Sequence, residues 1–520
     1  MKKSNVISLL LLLFVLSLTK HLFSQNVGIG TTTPSSSARL DITSTNSGFL
    51  PPRMTTAQRD AIANPAPGLM IFNTSTQAIE FFTVYGWSKM KSVSPGSNKL
   101  IGGAFTEYAQ SIRNTSDGGY IVAAYSNSSA NGDVTATNHS IGYDYWIIKL
   151  DHYGNISWNK LLGGNSNEIA YDIQPTSDGG YIVAGSSQST ASGDVTGTNH
   201  GSSEDYWIVK LNAAGNITWN KLLGGNASDE AYSIQQTSDG GYIVAGYSYS
   251  SANGDVTGIN HGAAQRDYWI VRLDSGGNIS WNKLLGGSSE DIVSGIQQTT
   301  DGGYIVAGYS NSSANGNVTG TNHGDVDCWV VKLDGSGNIT WNKLIGGNMF
   351  DYAYTIQQTS DGGYILAGSS ATSQNGDVTS TIHGGSDFLI FKLDAAGNIS
   401  WNKLLGGNAG EAAYSIQQTT DGGYIVAGTS SSSVSGNVSG ANRGNDDGWI
   451  VKLDASGNIT WNKLFGGNNY EGINSIRQTP DGGFIVAGYS NSSANNDVTE
   501  ANHGGYDCWI IRLDANGNIL

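Results

Sequence analysis

The sequence predicts an all-β fold: a seven-bladed β-propeller of four-stranded blades, preceded by a small β-rich N-terminal module. Three observations predict it. The tripeptide Asp-Gly-Gly begins at Asp117, Asp178, Asp239, Asp301, Asp361, Asp421 and Asp481, at spacings of 61, 61, 62, 60, 60 and 60 residues. Each copy reads as four short strands. The two ends of the repeat region are complementary parts of one strand.

The copy from Glu168 to Gly225 shows the pattern. Ala170 to Thr176 (AYDIQPT) reads as a first strand, and Ser177-Asp178-Gly179-Gly180 as a hairpin turn, because Asp-Gly and Gly-Gly accept the positive φ that tight hairpins need. Tyr181 to Ser187 is a second strand, and a polar loop of about 17 residues leads on to a third, Asp205 to Leu211. A turn at Ala213 to Asn216 then enters a fourth, Ile217 to Leu223. Four antiparallel strands repeated seven times match the construction of a propeller.

The last copy stops at Leu520, early in its fourth strand, and the first begins at Asn98-Lys99-Leu100-Ile101, late in the same strand. An open solenoid needs polar capping repeats, whereas a ring fastened by both chain ends needs this complementarity. Ser97 stands where the other copies have a fourth-strand tryptophan. Twelve of the 13 tryptophans recur at two positions, represented by Trp207 in the third strand and Trp219 in the fourth, which suits packing between blades.

The composition agrees: 72 glycines, 13% charged residues, and abundant β-branched and aromatic side chains. Residues 1–25, with Lys2 and Lys3 before an apolar run from Val6 to Leu18, read as a secretory signal peptide. No later stretch reaches the roughly 20 apolar residues that span a bilayer, so the reading expects no membrane span and an exported protein, extracellular, on the cell surface or periplasmic. Removing Lys2, Lys3 and Lys20 with the signal takes the net charge from −16 to −19, which disfavours nucleic acid as a partner. Residues 26–92 form the N-terminal module, 93–97 the linker, and 98–520 the propeller. Cys328 and Cys508 lie three blades apart and read as small buried residues, not a disulfide.

The segment Trp207-Ile-Val-Lys-Leu-Asn-Ala-Ala-Gly-Asn-Ile-Thr-Trp219 resembles the blade motif of quinoprotein-type propellers, in which a glycine turn precedes a docking tryptophan. Thr176-Ser-Asp-Gly-Gly-Tyr181 is similar to the Asp-box turn of sialidase-like propellers, with Val183 where that motif prefers an aromatic. The repeat as a whole, DGGYIVAG…DYWIVKLD…GNITW, resembles those of secreted bacterial propeller proteins found with type IX secretion. That resemblance implies export and fold, but assigns no biochemistry; the C-terminal sorting domain frequent in such proteins is not expected here. In the N-terminal module, Asn26-Val-Gly-Ile-Gly-Thr-Thr-Thr-Pro34 and Gly48-Phe-Leu-Pro-Pro-Arg-Met54 resemble the leader of surface and phage tail-fibre-like proteins, implying display or self-association.

Candidate chemistry is sparse. Three acidic positions recur in every copy and hold 21 of the 42 acidic residues: the Asp-Gly-Gly aspartate, one before the third strand (Asp205 and its counterparts), and one after the fourth (Asp229 and its counterparts). A catalytic pair is needed once, so these read as turn and backbone caps. Strand alternation puts the seven long loops and the Gly-Gly loops on one face and the tight turns on the other. The long loops are the predicted binding surface. Within them His139, His200, His261, His323, His383 and His503 recur, with Arg443 in the sixth copy, alongside Asp133, Asp194, Asp255, Asp377 and Asp497. One histidine per blade suits loop bracing better than zinc, which needs three or four ligands together. Calcium within a loop is the alternative.

With no nucleophile–base set, phosphate loop or zinc motif, the expectation is no catalytic residue and no cofactor. The reading is a non-enzymatic binding or adhesion propeller that contacts glycan or extracellular protein through its long-loop face. The alternatives are a hydrolase or quinoprotein-like enzyme working in the central channel, and a purely structural domain. The enzyme alternative requires blade-specific departures at the channel, and the sequence reading finds none.

Overall fold

A computed structural model describes residues 27–29, 40–42, 44, 49–76, 78–83, 86–89, 98–262 and 265–520. The predicted signal peptide and linker lie outside the described residues. The chain divides into two compact units, Met1–Val93 and Ser94–Leu520.

In the first unit β1 (Val27–Ile29) pairs in parallel with β2 (Leu40–Ile42). A second sheet takes the order β3 (Arg53–Met54), β4 (Met70–Asn73), β5 (Ala78–Thr83) and β6 (Gly86–Lys89). Between β3 and β4 lies a short helix absent from the sequence reading, α1 (Thr56–Asp60), started by a capping box of Thr55 and Gln58. Arg59 ties the helix to β5 through an ion pair with the buried Glu80 at 2.6 Å and lies over the Trp87 ring.

The second unit contains seven four-stranded antiparallel sheets. In the second blade these are β12 (Glu168–Pro175), β13 (Tyr181–Ser187), β14 (Asp205–Leu211) and β15 (Ile217–Leu223). The last three match the predicted bounds. The first strand begins two residues earlier than predicted because Glu168 and Ile169 pair with Ser187 and Ser186. The positive φ of the hairpin falls on Gly179 alone, at 82°.

First strands of adjacent blades touch one another around the ring, from β8 (Glu107–Asn114) through to β32 (Glu471–Gln478) and back, so they are innermost. The third strands are buried throughout and the second strands at all but one position in four blades, and the fourth forms the half-exposed outer edge. The apolar core lies between blades: Ile121, Ala123, Tyr145 and Ile147 of the first pack with Ala170, Ile173 and Val183 of the second. Each fully buried third-strand tryptophan contributes roughly 3 kcal/mol to such a seam. The fourth-strand tryptophan docks on the next blade's turn glycine; a Cβ at Gly215 would lie 2.7 Å from the Trp158 ring. Cys328 and Cys508 are buried free thiols.

The ring closes as the chain ends require. The last sheet has the order β32, β33 (Phe484–Ser490), β34 (Asp507–Leu513), β7 (Asn98–Ile101), with β7 antiparallel to β34.

Candidate functional site

The recurring acidic and histidine residues are absorbed by the seams between blades. Each loop residue Asp133, Asp194, Asp255, Asn317, Asp377, Asn437 and Asp497 accepts a hydrogen bond from the first glycine amide of the preceding blade's Gly-Gly, at 3.1–3.3 Å. Its own amide donates back to that glycine's carbonyl, at 2.8–3.1 Å. The histidines brace the same joint. In His139, His200, His261, His323, His383 and His503, Nδ1 lies 2.6–2.8 Å from the aspartate that opens the third strand. Nε2 of His139 faces Asp194 of the next blade at 3.6 Å, and that of His200 faces Asp255 at 3.5 Å. The sequence groups each histidine with the aspartate of its own loop; the structure pairs it with the third-strand aspartate of its own blade, and His139 and His200 also reach across the seam. In the sixth blade Arg443 makes the equivalent link to Asp497. These residues are spread around the rim, one set per seam, and no set meets another.

The other acidic positions are also structural. Asp178 caps its own hairpin and pairs with Lys210 at 2.8 Å. Asp205 and Asp229 stand against Gly224, where a Cβ would lie 2.4 Å from one carboxylate and 2.8 Å from the other, so glycine alone fits. Burial, with Asp205 adding repulsion, pushes Asp229 up to about 7. Among the described residues no three His, Cys, Asp or Glu side chains converge as metal ligands.

The central channel is different. A cavity of about 580 Å³ is lined by the first strands of all seven blades. Each of these strands carries a β-bulge: in β12 the register jumps from Ala170 to Asp172, leaving Tyr171 unpaired. A bulge re-aims a side chain, and here the bulged residue of every blade lines the cavity. Those residues are Gln110, Tyr171, Tyr232, Ser294, Tyr354, Tyr414 and Asn474. Tyr171 and Tyr232 pack at 4.6 Å between ring centres, Tyr354 and Tyr414 at 5.4 Å. Ring order places these two aromatic pairs on opposite walls, in blades two and three and blades five and six. Polar Gln110 and Asn474 stand at one end of the slot between them, and Ser294 with Gly295 at the other.

Below the bulge, glutamines line five blades, and four seams are latched by them: Gln235, Gln297, Gln357 and Gln417 each accept from the next blade's backbone at 2.6–2.8 Å. Blades seven and one carry Arg477 and Arg113 there instead. Arg113 pairs with Asp172 at 2.7 Å, and Asp172 also accepts from the Ser111 hydroxyl at 2.8 Å and the Ile234 amide at 3.1 Å. Above, Glu230 accepts from the hydroxyls of Tyr171, Tyr232 and Tyr247, at 3.2, 3.2 and 2.6 Å. Blade-specific departures therefore do cluster at the channel, which corrects the sequence reading. They were hidden because near-identical outer strands dominate each copy.

The long-loop face carries exposed apolar side chains: Phe105, Met349, Phe350 and Tyr470 on Gly-Gly loops, Ile141, Ile259 and Val434 on long loops. Tyr108 stacks with Tyr506 and contacts Tyr125 and Tyr489 at the closing seam.

A family model described as a phage tail like trimerisation region matches residues 28–103. The chain is 23% identical over 189 residues to the regulatory protein FlaEY of Caulobacter vibrioides, a match covering 35% of this chain and 20% of that protein. The chain thus spans about a fifth of the length of the curated relative it matches. Solved structures align with most of the chain at low sequence identity. The Pan2 WD40 domain of Neurospora crassa aligns over 80% of this chain and 95% of that one at 11% identity and TM-score 0.41. BamB of Moraxella catarrhalis aligns over 79% and 98% at 13% identity and TM-score 0.35. A protein of unknown function from Dyadobacter fermentans aligns over 80% and 97% at 11% identity and TM-score 0.38.

Proposed function

We propose that this protein is an exported, surface-displayed binding propeller that holds a glycan at the mouth of its central channel, on the long-loop face. One observation carries the reading: two tyrosine pairs on bulged positions face each other across a slot whose remaining lining includes amide, hydroxyl and guanidinium groups. Aromatic faces take up the C–H surface of a sugar ring, and the polar groups take its hydroxyls. Binding suits this slot better than catalysis because its carboxylate, Asp172, and the neighbouring Glu230 are already held by three or more donors each. The exposed apolar residues of the long-loop face add contact surface.

The likeness of residues 28–103 to a trimerisation region supports self-association through the N-terminal module. Three propellers on one stem raise the avidity of a weak sugar site without any new contact.

The test is titration of the full chain against a broad panel of neutral and acidic oligosaccharides, repeated with the Tyr171→Ala, Tyr354→Ala double variant. Saturable binding that drops at least about tenfold in the variant, with the unfolding midpoint kept, is the expected result. A panel without binders, or binding indifferent to both tyrosines, defeats the reading.

A further inference from the structure

The floor of the channel departs from the repeat in one respect that the ring does not need. Arg113 and Arg477 occupy the position where the other five blades have glutamine. Each arginine reaches back to its own strand carbonyl and to a serine hydroxyl of the preceding blade: Arg113 to Ile112 and Ser475, Arg477 to Ile476 and Ser415. Their forward partners differ. Arg113 meets Asp172 on the next blade, whereas the corresponding residue ahead of Arg477 is Ser111. Among the described residues no carboxylate pairs with Arg477.

A guanidinium placed in a narrow channel with no carboxylate in direct contact is a costly arrangement. Burial and the neighbouring charge of Arg113 pull Arg477 well below the usual arginine range, with the more distant Asp172 opposing them only in part, so an arriving anion in contact favours the charged guanidinium. Opposite, in blade four, Ser294 and Gly295 leave room at the other end of the slot. The slot is thus aromatic on two walls, cationic at one end and small at the other.

We infer that Arg477, with Arg113 on the adjacent blade, receives the carboxylate of an acidic sugar whose ring stands between the Tyr171–Tyr232 and Tyr354–Tyr414 pairs. A planar guanidinium matches a carboxylate with two parallel N–H donors. The formal net charge, −16 for the whole chain and −19 without the signal, repels an extended polyanion, so the site takes a single carboxylate-bearing terminal sugar and not a run of charges. This inference rests on the glycan reading of the channel.

Methyl β-D-glucuronide and methyl β-D-glucoside differ only in carboxylate against hydroxymethyl, and their dissociation constants for the full chain separate the two claims. The wild-type chain should bind the glucuronide about tenfold more tightly. Arg477→Gln restores the residue of five other blades, so it should fold and bind both sugars equally, at the glucoside's affinity. Equal binding of both sugars by the wild-type chain, or a preference that survives Arg477→Gln, overturns the role of Arg477 and leaves the glycan reading standing. Binding of neither sugar overturns both.

Discussion

The indole N–H of Trp509 donates to Oδ1 of Asn98 at 2.7 Å, joining residues 411 positions apart. Five other blades make the same bond within one hairpin, from Trp146 to Asn159 through Trp449 to Asn462, at 3.1–3.2 Å. Closure of the ring therefore reuses a local device of the repeat over the full length of the propeller. Because β7 is held by its pairing with β34, ring stability depends on the first four residues of the second unit's described chain.

Asn98→Ala should destabilise the propeller by about 1–3 kcal/mol, since it leaves the buried Trp509 N–H without an acceptor. Asn282→Ala, which breaks the equivalent bond inside one blade, should cost a similar amount. Deleting residues 98–101 should cost far more than either. Thermal unfolding of the three variants checks the order.

The seam account predicts that the loop histidines matter for stability and not for ligand. His200→Ala leaves the buried Asp205 with one backbone donor and should cost about 1–3 kcal/mol, while sugar binding is unchanged. A chelator should leave the unfolding midpoint where it was, because the loop carboxylates are engaged by amides and imidazoles. Differential scanning fluorimetry with and without chelator reads both outcomes.

Two glycines with nearly the same backbone angle should respond differently to alanine. Gly179 has φ of 82° and nothing within 4 Å of a Cβ, so Gly179→Ala should cost only the left-handed penalty, about 1–2 kcal/mol. Gly215 has φ of 75° and the Trp158 ring 2.7 Å from a Cβ, so Gly215→Ala should cost more, by loss of the docked tryptophan. Denaturant midpoints of the pair give the comparison.

Stability should peak in mildly acidic solution. Burial lifts Asp229 and Asp291 to about 7 and Asp447 to about 6. Their protonated forms are favoured by the fold, so this contribution is complete below the ordinary carboxylate value of 3.8 and is lost as pH rises through 6 to 7. Asp178, Asp301, Asp361 and Asp421 move the other way: against some burial, lysine, threonine and glycine donors draw them down to about 2. Their contribution is complete above the ordinary value and is lost as pH falls towards 2. Unfolding midpoints measured from pH 3 to 8 should pass through a maximum between these ranges, on the order of pH 4–5.

The fold was legible because the repeat writes every turn and strand seven times, and the split fourth strand announces closure. The face carrying the long loops was legible from strand alternation alone. The channel was not. Tyr171 sits in AYDIQ, where strict alternation sends it to the same face as Ile169 and Ile173; the bulge after Ala170 breaks that parity and turns it to the cavity. Nor does a lone loop such as Asn199-His200 show that its partner stands in its own third strand and the next blade. A comparison of the seven first strands does carry a signal. The bulged position holds Tyr, Gln, Ser or Asn, while the second strand facing it keeps Ala123 and its counterparts in every blade.

The central claim is that the channel tyrosines take the sugar and the loop histidines do not. Hydroxyl-radical footprinting, read by mass spectrometry, compares both sets in one experiment, with and without a saturating glucuronate-terminated oligosaccharide. Protection of Tyr171, Tyr232, Tyr354 and Tyr414, with oxidation of His139, His200 and His261 unchanged, is the predicted result. Protection confined to the loop histidines, with the four tyrosines oxidised as before, contradicts it.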